Sequence, residues 1–113
     1  MNSKNIRTFR RQLDTLADRL RGEVMALRDE AFVPPAERAE IAGHEAEEGR
    51  VRTVLTQEES ILDEVEAALQ RIEDGTFGQC ASCSQTISHQ RLEAVPYSRF
   101  CVGCAERHES GVT

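Results

Sequence analysis

The stretch from Cys80 to Cys104, CASCSQTISHQRLEAVPYSRFCVGC, decides how the last third of this chain folds. It opens with Cys80-Ala81-Ser82-Cys83 and closes with Cys101-Val102-Gly103-Cys104, with 17 residues between the two pairs. Two residues between cysteines let both sulfurs turn onto one ion. A connecting segment of this length brings the chain back to complete a tetrahedron. All four cysteines are used and none is left over. The pattern predicts one zinc ion, held by Cys80, Cys83, Cys101 and Cys104. Four protein ligands close the shell and leave no position for a reacting water, so the zinc is expected to be structural. Iron would accept the same ligands, but nothing else here suggests electron transfer. A thioredoxin-like motif would need a βαβ context, which is absent. His89 and His108 flank the site and are expected on the surface, because four cysteines already fill it. Thr86-Ile87 and Phe100 are expected to form short strands beside the knuckles.

Working outward, the residues before the cysteines read as helix. In residues 5–32 the apolar positions are Ile6, Phe9, Leu13, Leu16, Leu20, Val24, Leu27 and Ala31. Their spacings of three and four keep them on one stripe of a helix, with Arg and Asp/Glu on the other faces. Phe32-Val33-Pro34-Pro35 breaks the run, because proline removes a backbone donor and turns its predecessor away from helix. Pro35 then suits the first position of a second helix, expected from Ala36 to Asp74. Val51, Leu55, Leu62, Val65, Leu69 and Ile72 form a heptad seam in which Glu58 is a polar member. Gly43 and Gly49 weaken the helix upstream of Val51, at about 1 kcal/mol each relative to alanine. Two helices joined by a short loop pack antiparallel. Gly75 suits a C-terminal cap.

The expected architecture is mainly α: an antiparallel coiled-coil hairpin over 1–75 with its tip near 33–40, a small four-cysteine (C4-type) zinc-finger region over 76–108, and a flexible tail over 109–113. With 113 residues, 30% of them charged and 4% aromatic, the chain cannot build a large compact core and needs a staple. The net charge is −6, and a zinc tetrathiolate adds about two further negative charges. That argues against nucleic-acid binding, which needs a basic patch. The first residues carry no apolar signal core, and no apolar run approaches the roughly 18 residues that span a membrane. A reducing cytoplasm is therefore expected, where paired Cys-x-x-Cys spacings favour metal over disulfides.

The segment Ala67-Ala-Leu-Gln-Arg-Ile-Glu-Asp-Gly-Thr-Phe-Gly-Gln-Cys80, followed by Arg91-Leu-Glu-Ala-Val-Pro96 between the knuckles, resembles the DksA/TraR family of bacterial zinc-finger regulators. Phe9-Arg-Arg-x-Leu13 and Leu20-Arg-x-Glu-Val24 resemble its longer branch. The resemblance implies direct binding to RNA polymerase rather than to a DNA sequence. A coiled-coil hairpin enters the enzyme's secondary channel, and its tip alters promoter-complex stability, often together with the alarmone ppGpp. The family tip reads Asp-x-x-Asp-x-Ala; the matching residues here are Pro34 to Ala39, so the first acid is lost and Glu37, Arg38 and Ala39 become the polymerase-facing tip. Helix 2 is shorter by about three residues, which retracts the tip by about 4–5 Å. Family residues that help hold ppGpp are basic at positions matching Glu64, Val95 and Ala105. None is basic here, which argues against direct ppGpp binding.

Three functions are consistent with these features. The first is a monomeric secondary-channel regulator of transcription. The second is a zinc-stapled helical adaptor that holds another protein without acting on polymerase. The third, a nucleic-acid-binding finger, is weakened by the net charge and by the lack of a basic cluster and stacking aromatics in the finger. No nucleophile–base pair and no open metal site suggests an enzyme.

Overall fold

The computed structural model describes residues 2–31 and 44–109, with side chains in the second stretch from residue 49 onward. Helix α1 spans Ser3–Ala31 and α2 spans His44–Asp74. Two short helices follow, α3 over His89–Ala94 and α4 over Val102–Glu109. The expected tip and the proline break fall within 32–43, outside the described residues.

Helix α1 begins two residues earlier than its apolar stripe implied, because Asn2 caps it. The Asn2 side-chain oxygen accepts from the Asn5 backbone N–H at 2.9 Å, satisfying a donor that the first turn leaves unpaired. The face it buries carries Phe9, Leu13, Ala17, Leu20 and Val24. Against it lie Val51, Val65, Ala68 and Ile72 of α2. The two helices run antiparallel, as their cross-pairs record. Arg10 meets Glu73 at 3.1 Å, Arg21 meets Glu66 at 3.9 Å and Arg28 meets Glu59 at 3.0 Å. These exposed pairs are worth about 0–1 kcal/mol each. The apolar seam does more, at about 1.5–3 kcal/mol for each fully buried side chain such as Leu13 or Val65.

The seam differs from its sequence reading in two places. Ala17 and Ala68 are fully buried, while Leu16, Leu62 and Leu69 are half-buried at its margin. Small side chains sit where the helices approach closely, and larger ones close over the sides. Glu58 stands inside the seam, with one carboxylate oxygen buried and without a hydrogen-bond partner.

Helix α2 ends in a glycine cap. Gly75 has φ +77°; its N–H donates to Ile72 O at 3.3 Å, and the Thr76 N–H donates to Arg71 O at 2.9 Å. That pair of bonds is the Schellman closure, which needs the left-handed conformation glycine adopts without penalty. The turn delivers Phe77 onto Phe9, with ring centroids 5.6 Å apart. Ile87 and Leu92 join the same buried cluster as Leu13, Val65 and Ile72. The base of the hairpin and the cysteine region therefore share one core.

The expected strands at Thr86-Ile87 and Phe100 do not form, and no strand occurs among the described residues. A single antiparallel bridge pairs Gln79 with Thr86. Local capping wins over strand propensity here: Ser88 Oγ accepts from the Arg91 N–H at 3.2 Å and starts α3. Phe100 is held instead by its carbonyl, which accepts from Arg91 Nε at 2.9 Å, and by its ring, which stacks on His108 at 4.3 Å.

Candidate metal centre

The sulfurs of Cys80, Cys83, Cys101 and Cys104 all lie within 4.8 Å of one another. Cys83 Sγ and Cys101 Sγ are 3.8 Å apart. A tetrahedron with metal–sulfur bonds of about 2.3 Å has edges of about 3.8 Å, so the spacing suits zinc. Four soft donors and no oxygen ligand suit the same ion.

Each knuckle is shaped by its own backbone bonds. In the first, the Cys80 N–H donates to Gln85 O at 2.7 Å and the Ser84 N–H to Cys80 O at 2.9 Å. Ser84 takes φ +65° to close that turn. The second knuckle is the start of α4: the Ala105 N–H donates to Cys101 O at 2.9 Å. Cys101 thus precedes the helix and Cys104 lies in its first turn, where the exposed N–H groups favour anionic sulfur. The Ala81 N–H donates to Arg99 O at 2.8 Å and ties the two knuckles together.

The electrostatics of the four thiols are uneven. Burial pushes the Cys80 thiol up, but backbone N–H groups of Cys101, Cys83 and Ser82 outweigh it and bring the pKa down to about 6. For Cys83 the Gln85 N–H favours the thiolate, yet burial and the three neighbouring sulfurs prevail and raise it to about 11. Cys104 is lowered, first by Arg107, whose guanidinium donates to Cys104 Sγ at 2.8 Å. Packing four sulfurs this closely disfavours four thiolates unless a cation joins them, and a divalent metal supplies that charge. Arg107 offsets part of the excess negative charge of a tetrathiolate. The sequence reading missed it; the available signal was an arginine one helical turn beyond Cys104 on the same face.

His89 and His108 are both surface residues, as expected. His89 pairs with Glu93 at 2.8 Å, and its ring meets the edge of Phe9 at 5.5 Å. Glu37, Arg38 and Ala39 lie outside the described residues. The three non-basic positions of interest, Glu64, Val95 and Ala105, are brought together around one cavity of ≈ 430 Å³, which Tyr97, Arg99 and Phe100 also line. Glu64 does not face it alone: Arg99 Nη2 holds its carboxylate at 2.7 Å.

Residues 75–110 match the prokaryotic dksA/traR C4-type zinc finger. Over 110 residues the chain is 34% identical to the RNA polymerase-binding transcription factor DksA of Escherichia coli (strain K12), spanning 92% of this chain and 71% of that protein. The chain belongs to the DksA/TraR family. Family membership and the geometry of the cysteines agree on a C4-type, zinc-binding finger. The fold matches as well. The structure of transcription factor DksA2 from Pseudomonas aeruginosa superposes with a TM-score of 0.84 at 25% identity, covering 97% of this chain and 87% of that one. The solution structure of DnaK suppressor protein from Agrobacterium tumefaciens gives 0.62 at 31% identity, covering 93% and 95%. Among the described residues no helix is long and apolar enough to cross a membrane.

Proposed function

We propose that this chain is a zinc-finger transcription regulator that binds RNA polymerase through the enzyme's secondary channel and modulates the stability of promoter complexes. The observation that carries the reading is the likeness, over 92% of this chain, to a protein named as an RNA polymerase-binding transcription factor. The physical design supports it. A narrow antiparallel pair of helices is stiffened along its seam by Leu13, Leu20, Val24 and Val65. It is anchored at its base by a finger that shares its core. Such a rod can project a small charged end into a confined site while its base stays outside.

In this reading one zinc ion per chain is bound by Cys80, Cys83, Cys101 and Cys104. The zinc supplies cross-linking alone, holding α3 and α4 against the base of residues 1–75; the finger proper is 76–108. Glu37, Arg38 and Ala39 form the polymerase-facing tip, with Glu37 a fixed negative charge near catalytic machinery. A single electrostatic contact counts for more in such a low-dielectric site than in water. The protein acts as a monomer in the cytoplasm, without enzymatic activity of its own and without sequence-specific DNA contacts. Consistent with a monomer, the apolar seam is consumed within the chain. The large apolar side chains left exposed among the described residues, Met25, Val54 and Val102, are few. Direct ppGpp binding is not part of this function: the matching positions Glu64, Val95 and Ala105 supply one carboxylate and two apolar side chains, and among the cations lining the same cavity Arg99 is held by Glu64 and Arg91 donates to the Phe100 carbonyl, while His108 stacks on Phe100 and Glu109 adds a second carboxylate.

Open-complex lifetime tests the proposal. The wild-type protein should alter the lifetime of promoter complexes, and Glu37→Ala should keep affinity for polymerase while losing most of that effect. Binding with no effect of Glu37→Ala would mean the hairpin acts by occupying the channel. The adaptor reading, kept alive by Pro34 in place of the family's first tip acid, predicts no binding at all.

A further inference from the structure

Arg107 stands in the last turn of α4, three residues beyond Cys104 and on the same face of the helix. Its Nη2 donates to Cys104 Sγ at 2.8 Å. Cys104 is only 1% exposed, so the guanidinium reaches in from the surface to a sulfur that solvent hardly touches. The first knuckle is served differently. Cys80 receives the backbone N–H groups of Cys101, Cys83 and Ser82, and Cys83 receives that of Gln85. Among the described residues, Cys104 is the cysteine whose sulfur meets a charged side chain. A full positive charge is thereby placed on one corner of the four-sulfur cluster, in a chain whose net charge is −6.

Two demands of the site meet at that corner. One divalent ion with four thiolates keeps about two negative charges, and a cation in contact with one of the sulfurs offsets part of them. The sulfur must also be held in place. Helix α4 has eight residues, too few to be rigid by itself, and an N–H aimed at Sγ fixes the Cys104 side chain without taking a ligand position. We propose that Arg107 is a metal-retaining residue: through its contact with Cys104 it sets how tightly the finger holds its ion. The inference rests on the four-cysteine metal reading above and adds a residue from outside the ligand set. A basic residue in the last turn also suits the helix dipole, and would steady α4 without acting on the metal. The two roles differ at the sulfur. A donated N–H draws electron density from a metal-bound thiolate, so its loss moves a sulfur-to-metal charge-transfer band to lower energy, whereas a change in helix stability leaves that band alone.

The test uses the full chain loaded with zinc and, separately, with cobalt(II) as a spectroscopic stand-in at the same four sulfurs. The forms compared are wild type, Arg107→Leu, Arg107→Lys and Glu106→Gly. The last weakens α4 at an exposed position and leaves the contact with Cys104 in place. Competition with a chromophoric chelator measures how tightly and for how long zinc is held; the cobalt form gives the charge-transfer band. Arg107→Leu should hold zinc about 10-fold less tightly, release it faster, and shift the band to lower energy. Arg107→Lys keeps a cation at the end of α4 and should show the same changes at smaller size; it carries the test if the leucine form does not fold. Glu106→Gly should leave the band where it stands in wild type. Zinc held as tightly by Arg107→Leu as by wild type overturns the proposal. Weaker holding with an unmoved band also overturns it, assigning Arg107 to the helix alone. A wild-type protein that takes up no zinc sinks the metal reading itself, and the inference with it.

Discussion

Replacing Glu58 by leucine should make the hairpin more stable, and the structure sets the size of the gain. Glu58 sits between Leu55 and Leu62 in the seam, half-buried, with Oε2 enclosed and lacking a hydrogen-bond partner. The Glu23 carboxyl across the seam raises its pKa first by direct contact; burial and the charge of Glu23 add to this, while Arg19 opposes it. A leucine half-buried at this position would contribute about 1 kcal/mol of apolar burial, half of what a fully buried leucine gives. Removing the repulsion from Glu23 adds about 0.2–0.5 kcal/mol on the scale of neighbouring like charges. The sum is about 1–1.5 kcal/mol, or an increase in Tm of several degrees, since each kcal/mol moves a domain of this size by about 4–8 °C. Glu58→Gln, which removes only the charge, should gain less than half of that. The same site gives a pH signature. A carboxyl whose folded pKa is raised above its unfolded value near 4.5 binds more protons folded than unfolded. Its contribution is fully present below about pH 4.5 and is lost as pH rises through the raised value. The stability difference between Glu58→Gln and wild type should therefore shrink as pH falls from 7 toward 4.5. Thermal unfolding followed by circular dichroism across that range measures both effects. A Glu58→Leu variant no more stable than wild type, or a difference that does not move with pH, would refute the reasoning.

Two further outcomes follow from the finger and its hinge. Elemental analysis of reduced protein should find one zinc per chain; chelation should unfold the residues after Gly75 yet leave much of the helical signal, because the seam from Val24 to Val65 stands without the metal. Gly75→Ala should destabilise by about 1–2 kcal/mol, read by denaturant unfolding: a Cβ there would meet open space, so the cost is that of φ +77° alone.

The hairpin and the metal site were legible in the sequence for different reasons. Spacing alone names the four cysteines, because a tetrahedral ion needs two knuckles and offers few alternatives. Periodicity names α1 and α2, since three- and four-residue steps persist over many turns. Ala17 and Ala68 escaped because alanine carries little hydrophobic signal, and only the helix–helix approach reveals which alanines are buried. Helices α3 and α4 escaped because six and eight residues are too short for periodicity to speak. Their starts are set by Ser88 and by the Cys101 carbonyl rather than by an apolar stripe. Arg107 was invisible for a related reason: its role depends on a contact with sulfur that exists only once α4 has formed.

The central claim meets its most direct test in the binding of the zinc-loaded protein to core RNA polymerase, measured as a titration with the Escherichia coli relative as competitor. Binding should be saturable at one protein per polymerase and displaced by the relative. A folded, zinc-loaded protein that shows no binding at micromolar concentrations, or that binds without being displaced, would contradict it.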